Sequence, residues 1–184
     1  MDILSHGLWA VATGKGAQLE KGKEERRWNS WWLLFWGMFP DLFAFAPIFA
    51  YSLISLVTGG GPMIHRPPTE LEPWTPGFDN ATDITQLLYS LSHSLVILAF
   101  VLIVFYIWKR KIPWIIFGWP LHILVDIPTH SYLFYPTPAF WPLWDWKLDG
   151  FSWGSGHFTL YNYVTLVLIF LGLYYLRKRR SAKK

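Results

Sequence analysis

The sequence lacks cysteine and is poor in charge. Of its 184 residues only 15% are charged, against about a quarter in a typical soluble domain. The absence of cysteine excludes disulfide frameworks, thiolate metal sites and cysteine nucleophiles. Because 53% of the residues are hydrophobic, a soluble protein of this composition would have too little polar surface. Catalysis or metal binding would therefore depend on His, Asp, Glu and Ser. The length of the chain predicts a single domain over residues 1–184.

Four segments are long, apolar and almost free of charge, and each exceeds the roughly 20 residues that a spanning helix needs. They are 31–57, 84–108, 112–134 and 150–176. The first and third each contain one acid, Asp41 and Asp126. Residues 1–15 are too few to span and predict a helix half inserted from the cytoplasmic side. The predicted fold is therefore an all-α, polytopic integral membrane helix bundle with four spanning helices and a half-inserted N-terminal helix.

The basic residues fall almost entirely into three groups. All but two of the 16 Lys and Arg lie within residues 15–27, 109–111 and 177–184, and the exceptions are Arg66 and Lys147. The positive-inside rule places the three groups in the cytoplasm and predicts a multi-pass protein of the inner cell membrane with a cytoplasmic C-terminus. The formal charge of +4 then reflects topology and attraction to lipid, so the lipid bilayer is the expected partner and nucleic acid is not.

Five ionisable residues are predicted at one depth in the membrane. At about 1.5 Å per helical residue, counting from the nearest flanking charge places each of them near the middle of the bilayer. They are His6, Asp41, His93, His122 and Asp126. His122 and Asp126 are four residues apart, so they share one helix face. Imidazole and carboxylate donors without sulfur suit a divalent metal, zinc or alternatively manganese.

Other interpretations of these residues stay open from the pattern alone. A buried histidine in a helix bundle often serves only as a hydrogen-bonded structural residue, and Asp126 can pair with His122 to hold helices together. A non-enzymatic metal or proton conduit would use the same buried acids, and so would a membrane scaffold with a structural polar cluster. His130 and His157 are predicted nearer the outer rim, where an imidazole can protonate a leaving alkoxide or hold a phosphate.

Four short motifs resemble a known family when they are taken in order. They are SH at 5–6, FPD at 39–41, SHS at 92–94 and HILVD at 122–126. This order is similar to that of the bacterial and archaeal membrane-bound metal-dependent hydrolases, a family distantly similar to the zinc-dependent phospholipases C and related nucleases. The resemblance covers roughly residues 1–135 and implies that the same five residues are metal ligands, with Asp126 bridging two ions.

The resemblance also implies a reaction. It is the hydrolysis of a phosphoester by a metal-activated water. A lipid or lipid-linked substrate is expected because only an amphiphile brings its ester to the depth of the site. The predicted catalytic residues are Asp126 and, from their position near the outer rim, His130 and His157. The pattern departs from the phospholipases at its end, because Tyr161 stands four residues after His157 where those enzymes have Glu. The missing ligand would then be replaced by His130, His157, Asp145 or Asp149, or the site holds one or two ions only.

Overall fold

The computed structural model describes residues 1–21, 29–58, 79–154 and 156–182. The structure is all-helical over these ranges, which confirms the predicted all-α class. The helices are α1 (Ile3–Lys21), α2 (Ser30–Ala44), α3 (Ala46–Val57), α4 (Asp79–Ser92), α5 (Leu95–Lys109), α6 (Gly118–Thr129) and α7 (Gly156–Ala182), with a short 3₁₀ helix at Trp114–Phe117. By packing, the chain divides into two compact units, and the prediction of one domain over 1–184 stays a prediction.

Two of the predicted spans are broken in the middle. Helices α2 and α3 meet at 71°, and the α4 segment from Asp83 meets α5 at 62°. The first break lies at Phe45, where Pro47 in the first turn of α3 has no N–H for a continuing helix. The second lies at Ser94, whose backbone is extended and whose Oγ accepts hydrogen bonds from the N–H groups of Val96 and Ile97. Ser94 is thus a side-chain N-cap that starts α5 anew.

The number of spans differs from the four that were predicted. Within the described ranges, only α7 is by itself long and apolar enough to cross a membrane, and the number rises to three if each bent pair is one span. The remaining segment, 112–134, forms the 3₁₀ helix followed by α6, which has 12 residues. The apolar segment is longer than these helices, since it includes Pro113 before them and continues beyond Thr129. A lack of charge therefore does not show where the helix begins or ends. Residues 59–78 of the predicted outer loop lie outside the described residues.

In the first unit, α1 packs closely on α2 and is tied to α7. A Cβ atom added at Gly37 would lie 2.7 Å from the carbonyl oxygen of His6, so the two backbones approach as only glycine allows. On the other side of α1, Trp9 Nε1 donates to Asn162 Oδ1 at 2.8 Å, and the Tyr163 hydroxyl donates to Asp2 Oδ1 at 2.7 Å. These contacts fix the position of His6 on α1.

In the second unit, α3 packs on α4, and the segment after α6 is attached to the start of α5. The N–H of Leu95 donates to the carbonyl of Ala139 at 2.9 Å, and Ser94 Oγ donates to the carbonyl of Trp141. A core cluster forms around the buried side chains of Tyr89 and Tyr135. This unit therefore holds the break between α4 and α5, where His93 lies, against the end of α6.

Candidate metal centre

Four of the five predicted ligands come together. Asp41, His93, His122 and Asp126 each offer one ligand atom, and these atoms all lie within 4.8 Å of one another. Their side chains come from the second half of α2, the α4–α5 break and two successive turns of α6. All four are buried, with Asp126 at 0% exposure. A group of this geometry and donor type can bind a metal ion, which agrees with the coarser part of the cofactor prediction.

His93 lies between the two carboxylates. Its Nε2 atom is 3.3 Å from Asp41 Oδ1 and 3.5 Å from Asp126 Oδ2. Its other ring nitrogen, Nδ1, is 3.2 Å from the carbonyl oxygen of Tyr89 and 2.9 Å from Ser92 Oγ. The α4–α5 break places these contacts, because His93 is the residue at which α4 has ended and α5 has not begun.

The histidines around Asp126 share one arrangement at Nδ1. His122 Nδ1 lies 2.7 Å from the carbonyl of Gly37, and His130 Nδ1 lies 2.9 Å from the carbonyl of Tyr135. With His93, three imidazoles thus direct Nδ1 at a backbone carbonyl, which only accepts hydrogen bonds. In a neutral ring, donation from Nδ1 to a carbonyl corresponds to the Nδ1–H tautomer, with Nε2 as the possible metal ligand. This is the tautomer that metal-ligating histidines adopt when a carbonyl orients them.

The charges in the cluster favour a cation. Two buried carboxylates and the imidazole nitrogens place electron-pair donors close together in a site with almost no exposure. A divalent ion accepts electron pairs from Nε2 and carboxylate oxygens together, so the donor set fits such an ion. Four nitrogen and oxygen donors without sulfur suit zinc, as manganese also would.

His6 and His130 are buried next to this group. The His6 ring stacks on the ring of His122 with centroids 3.7 Å apart, but His6 is not among the four residues whose ligand atoms converge. His130 Nε2 lies 3.3 Å from Asp126 Oδ1, on the carboxylate oxygen that does not face His93. His130 is only 2% exposed, because the turn after Asp126 returns its ring to the same carboxylate. Its predicted position near the outer rim stays a prediction.

His157 is in a different environment. It lies in the first turn of α7, its side chain is exposed, and its ring stacks on that of Tyr161. Among the described residues, the converging group of possible ligands does not include it. The catalytic role predicted for His157 stays a prediction.

Sequence reasoning missed the groups that orient the imidazoles. Tyr89 stacks on His93 with ring centroids 3.8 Å apart, and its hydroxyl reaches His130. Its spacing of four residues before His93 on a helix was the available signal. The carbonyls of Gly37 and Tyr135 leave no signal in the sequence, since every residue has a carbonyl and only the fold brings these two to a histidine.

The cluster brings two buried carboxylates and two imidazoles close enough to bind one ion. Such a site can bind a divalent ion, and an ion with an open coordination position can activate water or polarise an ester oxygen. Comparison of the chain with models of protein families, with curated proteins and with solved structures gives no match.

Proposed function

We propose that the protein is a membrane-embedded, metal-dependent hydrolase that cleaves a phosphoester of a lipid or lipid-linked substrate. The observation that supports it most is the position of His93 Nε2, 3.3 Å from Asp41 and 3.5 Å from Asp126 in a buried site. With Nδ1 of His93 held by a carbonyl, these three groups present electron pairs to one point. Zinc is the proposed ion, with manganese as the second choice.

The residues of the chain have separate roles in this proposal. When bound, the ion supplies a water that ionises near neutral pH and offsets negative charge on a phosphoryl oxygen. The ion would be held by Asp41, His93, His122 and Asp126. His6, whose ring stacks on that of His122, is the proposed fifth ligand. His130 Nε2 lies 3.3 Å from the second oxygen of Asp126, at the edge of the ligand group.

The proposed substrate follows from where the site lies. The segments that carry the ligands are apolar helices that are too bent or too short to be ordinary spans, and α7 is a candidate span. Transfer of a water-soluble ester into such apolar surroundings is unfavourable, whereas an amphiphile brings its ester group to the membrane surface or below it. The choice of a phosphoester over an amide or a carboxyl ester comes from the resemblance to zinc phospholipases. The proposed catalytic residues are Asp126, His130 and His157, the two histidines as groups that protonate the leaving alkoxide or hold the phosphate.

The activity is tested directly by hydrolysis. Zinc-loaded protein in detergent or lipid discs is incubated with mixed phospholipids, and separately with soluble phosphomonoesters and diesters. We expect product from the lipid panel that exceeds the product formed by the Asp126→Asn variant, and that falls as the measured zinc content falls on prolonged chelation. If zinc is bound and neither panel is hydrolysed, the hydrolase proposal is wrong, and a metal or proton conduit or a structural cluster takes its place.

We also propose the multi-pass topology in the inner membrane with Lys184 in the cytoplasm and residues 59–83 outside. The partition of basic residues supports this orientation. Since the chain has no cysteine, single cysteines at Thr75 and Ser181 give an unambiguous test. We expect a membrane-impermeant maleimide to label the Thr75→Cys protein in intact cells and the Ser181→Cys protein only after permeabilisation. The reverse pattern would invert the topology, and equal labelling of both in intact cells would contradict it.

A further inference from the structure

Tyr89 contacts both histidines next to Asp126 in the second unit, His93 and His130. It is 3% exposed, and its ring stacks on His93 at 3.8 Å between centroids with 21° between the planes. Its backbone carbonyl lies 3.2 Å from His93 Nδ1. One residue thus holds His93 by a ring face and by a hydrogen-bond acceptor, and either contact limits the rotation of the imidazole.

The hydroxyl of Tyr89 acts on the other histidine. It donates to the carbonyl of Tyr135 at 2.8 Å and lies 3.1 Å from His130 Nδ1, which is itself 2.9 Å from the same carbonyl. Because the tyrosine proton is used on the carbonyl, the phenol oxygen is an acceptor for the Nδ1 proton of His130. The three groups form a closed triangle in which His130 Nδ1 is the donor to two oxygens.

Both sets of contacts have the same consequence at Nε2. His93 Nε2 faces Asp126 Oδ2, and His130 Nε2 faces Asp126 Oδ1. The Nδ1 contacts therefore fix the direction of Nε2 in each ring, and the two imidazoles point Nε2 at the two oxygens of one carboxylate. Groups that hold a metal-ligating imidazole in this way typically change metal affinity by 10–100-fold when they are removed.

We propose that Tyr89 is the positioning residue of the metal centre, which sets the tautomer and orientation of both His93 and His130 through its carbonyl, its ring and its hydroxyl. This inference rests on the proposed metal site for its functional meaning. The arrangement of the rings can nevertheless be measured without any metal.

The test uses protein with ¹⁵N-labelled histidine rings, metal-free and at mildly alkaline pH, where imidazoles are neutral. Ring nitrogens with and without a proton resonate far apart, and single His→Gln variants assign the signals. In the wild type we expect Nδ1 to be protonated in both His93 and His130. A wild type with an unprotonated Nδ1 at either ring overturns the proposal, whatever happens to the variants.

Two variants separate the contacts of Tyr89. Tyr89→Phe removes the hydroxyl and keeps the ring, so we expect altered His130 signals, unaltered His93 and His122 signals, and zinc binding weaker by about tenfold. Tyr89→Leu removes the ring as well, and we expect His93 to change with it. Tyr132→Phe is the matched control, because it removes a hydroxyl from a half-exposed tyrosine that donates to Lys147.

The outcomes distinguish this inference from the proposed function. If His130 keeps its wild-type signals in Tyr89→Phe, or if Tyr132→Phe alters them equally, Tyr89 is not the positioning residue. If the spectra change as expected but the wild type binds no divalent ion, the inference about Tyr89 stands and the proposed metal function fails. A zinc affinity that falls in Tyr89→Phe while its metal-free thermal stability stays at the wild-type value supports positioning over a general packing role.

Discussion

The Asp126→Asn variant is expected to lose divalent-metal binding, with a dissociation constant raised more than roughly a hundredfold, and yet to fold. The first effect is large because Asp126 carries one of the four converging ligand atoms, and removal of a ligand costs more than the 10–100-fold typical of its supporting groups. The second follows from burial. Asp126 is a carboxylate at 0% exposure whose two oxygens face His93 and His130, and asparagine keeps its shape while removing the cost of burying a charge.

Metal binding is expected to fall, whereas the stability of the metal-free protein is expected to stay the same or rise. Loss of binding through unfolding would therefore be recognised. The metal-free variant is expected to unfold at or above the wild-type temperature. In the wild type, zinc at a hundred times Kd is expected to raise the free energy of unfolding by about 2.7 kcal/mol. In the variant this increase is expected to be absent. Asp145→Asn is the matched control, since its carboxylate is 80% exposed and pairs with Lys147. Wild-type zinc affinity in Asp126→Asn would show that the cluster is structural.

The Gly37→Ala variant is expected to be destabilised by about 1–3 kcal/mol and to bind zinc more weakly, although it alters no ligand. Its Cβ would lie 2.7 Å from the carbonyl oxygen of His6 and 2.9 Å from Gly7 Cα, so backbone atoms of α1 and α2 must move apart. Gly37 also accepts the Nδ1 hydrogen bond of His122 at 2.7 Å. Displacement of this carbonyl therefore moves a ligand together with the helix.

The control for Gly37 is the same change at Gly16, which lies in α1 with nothing within 4 Å of an added Cβ. There the expected result is unchanged or slightly raised stability, since alanine favours helix over glycine by about 1 kcal/mol. Thermal unfolding and zinc titration of both variants decide the matter. Equal behaviour of the two variants would contradict the close approach of α1 and α2.

The sequence indicated the ligands better than it indicated the helices. Asp41 and Asp126 stand out because a lone acid in an apolar segment is conspicuous, and their separation from flanking charges placed them at one depth. Hydropathy, however, does not register where a helix stops. The break at Ser94 depends on a hydroxyl that caps α5 and also donates to Trp141, which is 47 residues away. Such a contact forms only in the folded chain, so an apolar run that contains it still resembles a continuous span.

The supporting groups were harder still to predict. Tyr89 has the right spacing from His93, yet aromatic residues at helical spacing are common in an apolar sequence, and 20% of this chain is aromatic. The direction of the Tyr89 hydroxyl depends on Tyr135, which lies in the irregular segment after α6. Contacts between a side chain and a distant carbonyl are a property of tertiary structure, and no local pattern encodes them.

The burial of the four converging residues has a consequence for the kinetics of ion exchange. Since Asp41, His93, His122 and Asp126 have almost no accessible surface, a chelator has no direct route to an ion held by them. Release then requires local opening of the helices, and its rate measures that opening rather than the strength of coordination. The metal content of the purified protein would accordingly reflect the ions present while the chain folded, and affinities for the proposed ion are best obtained by refolding or by long competition between ions.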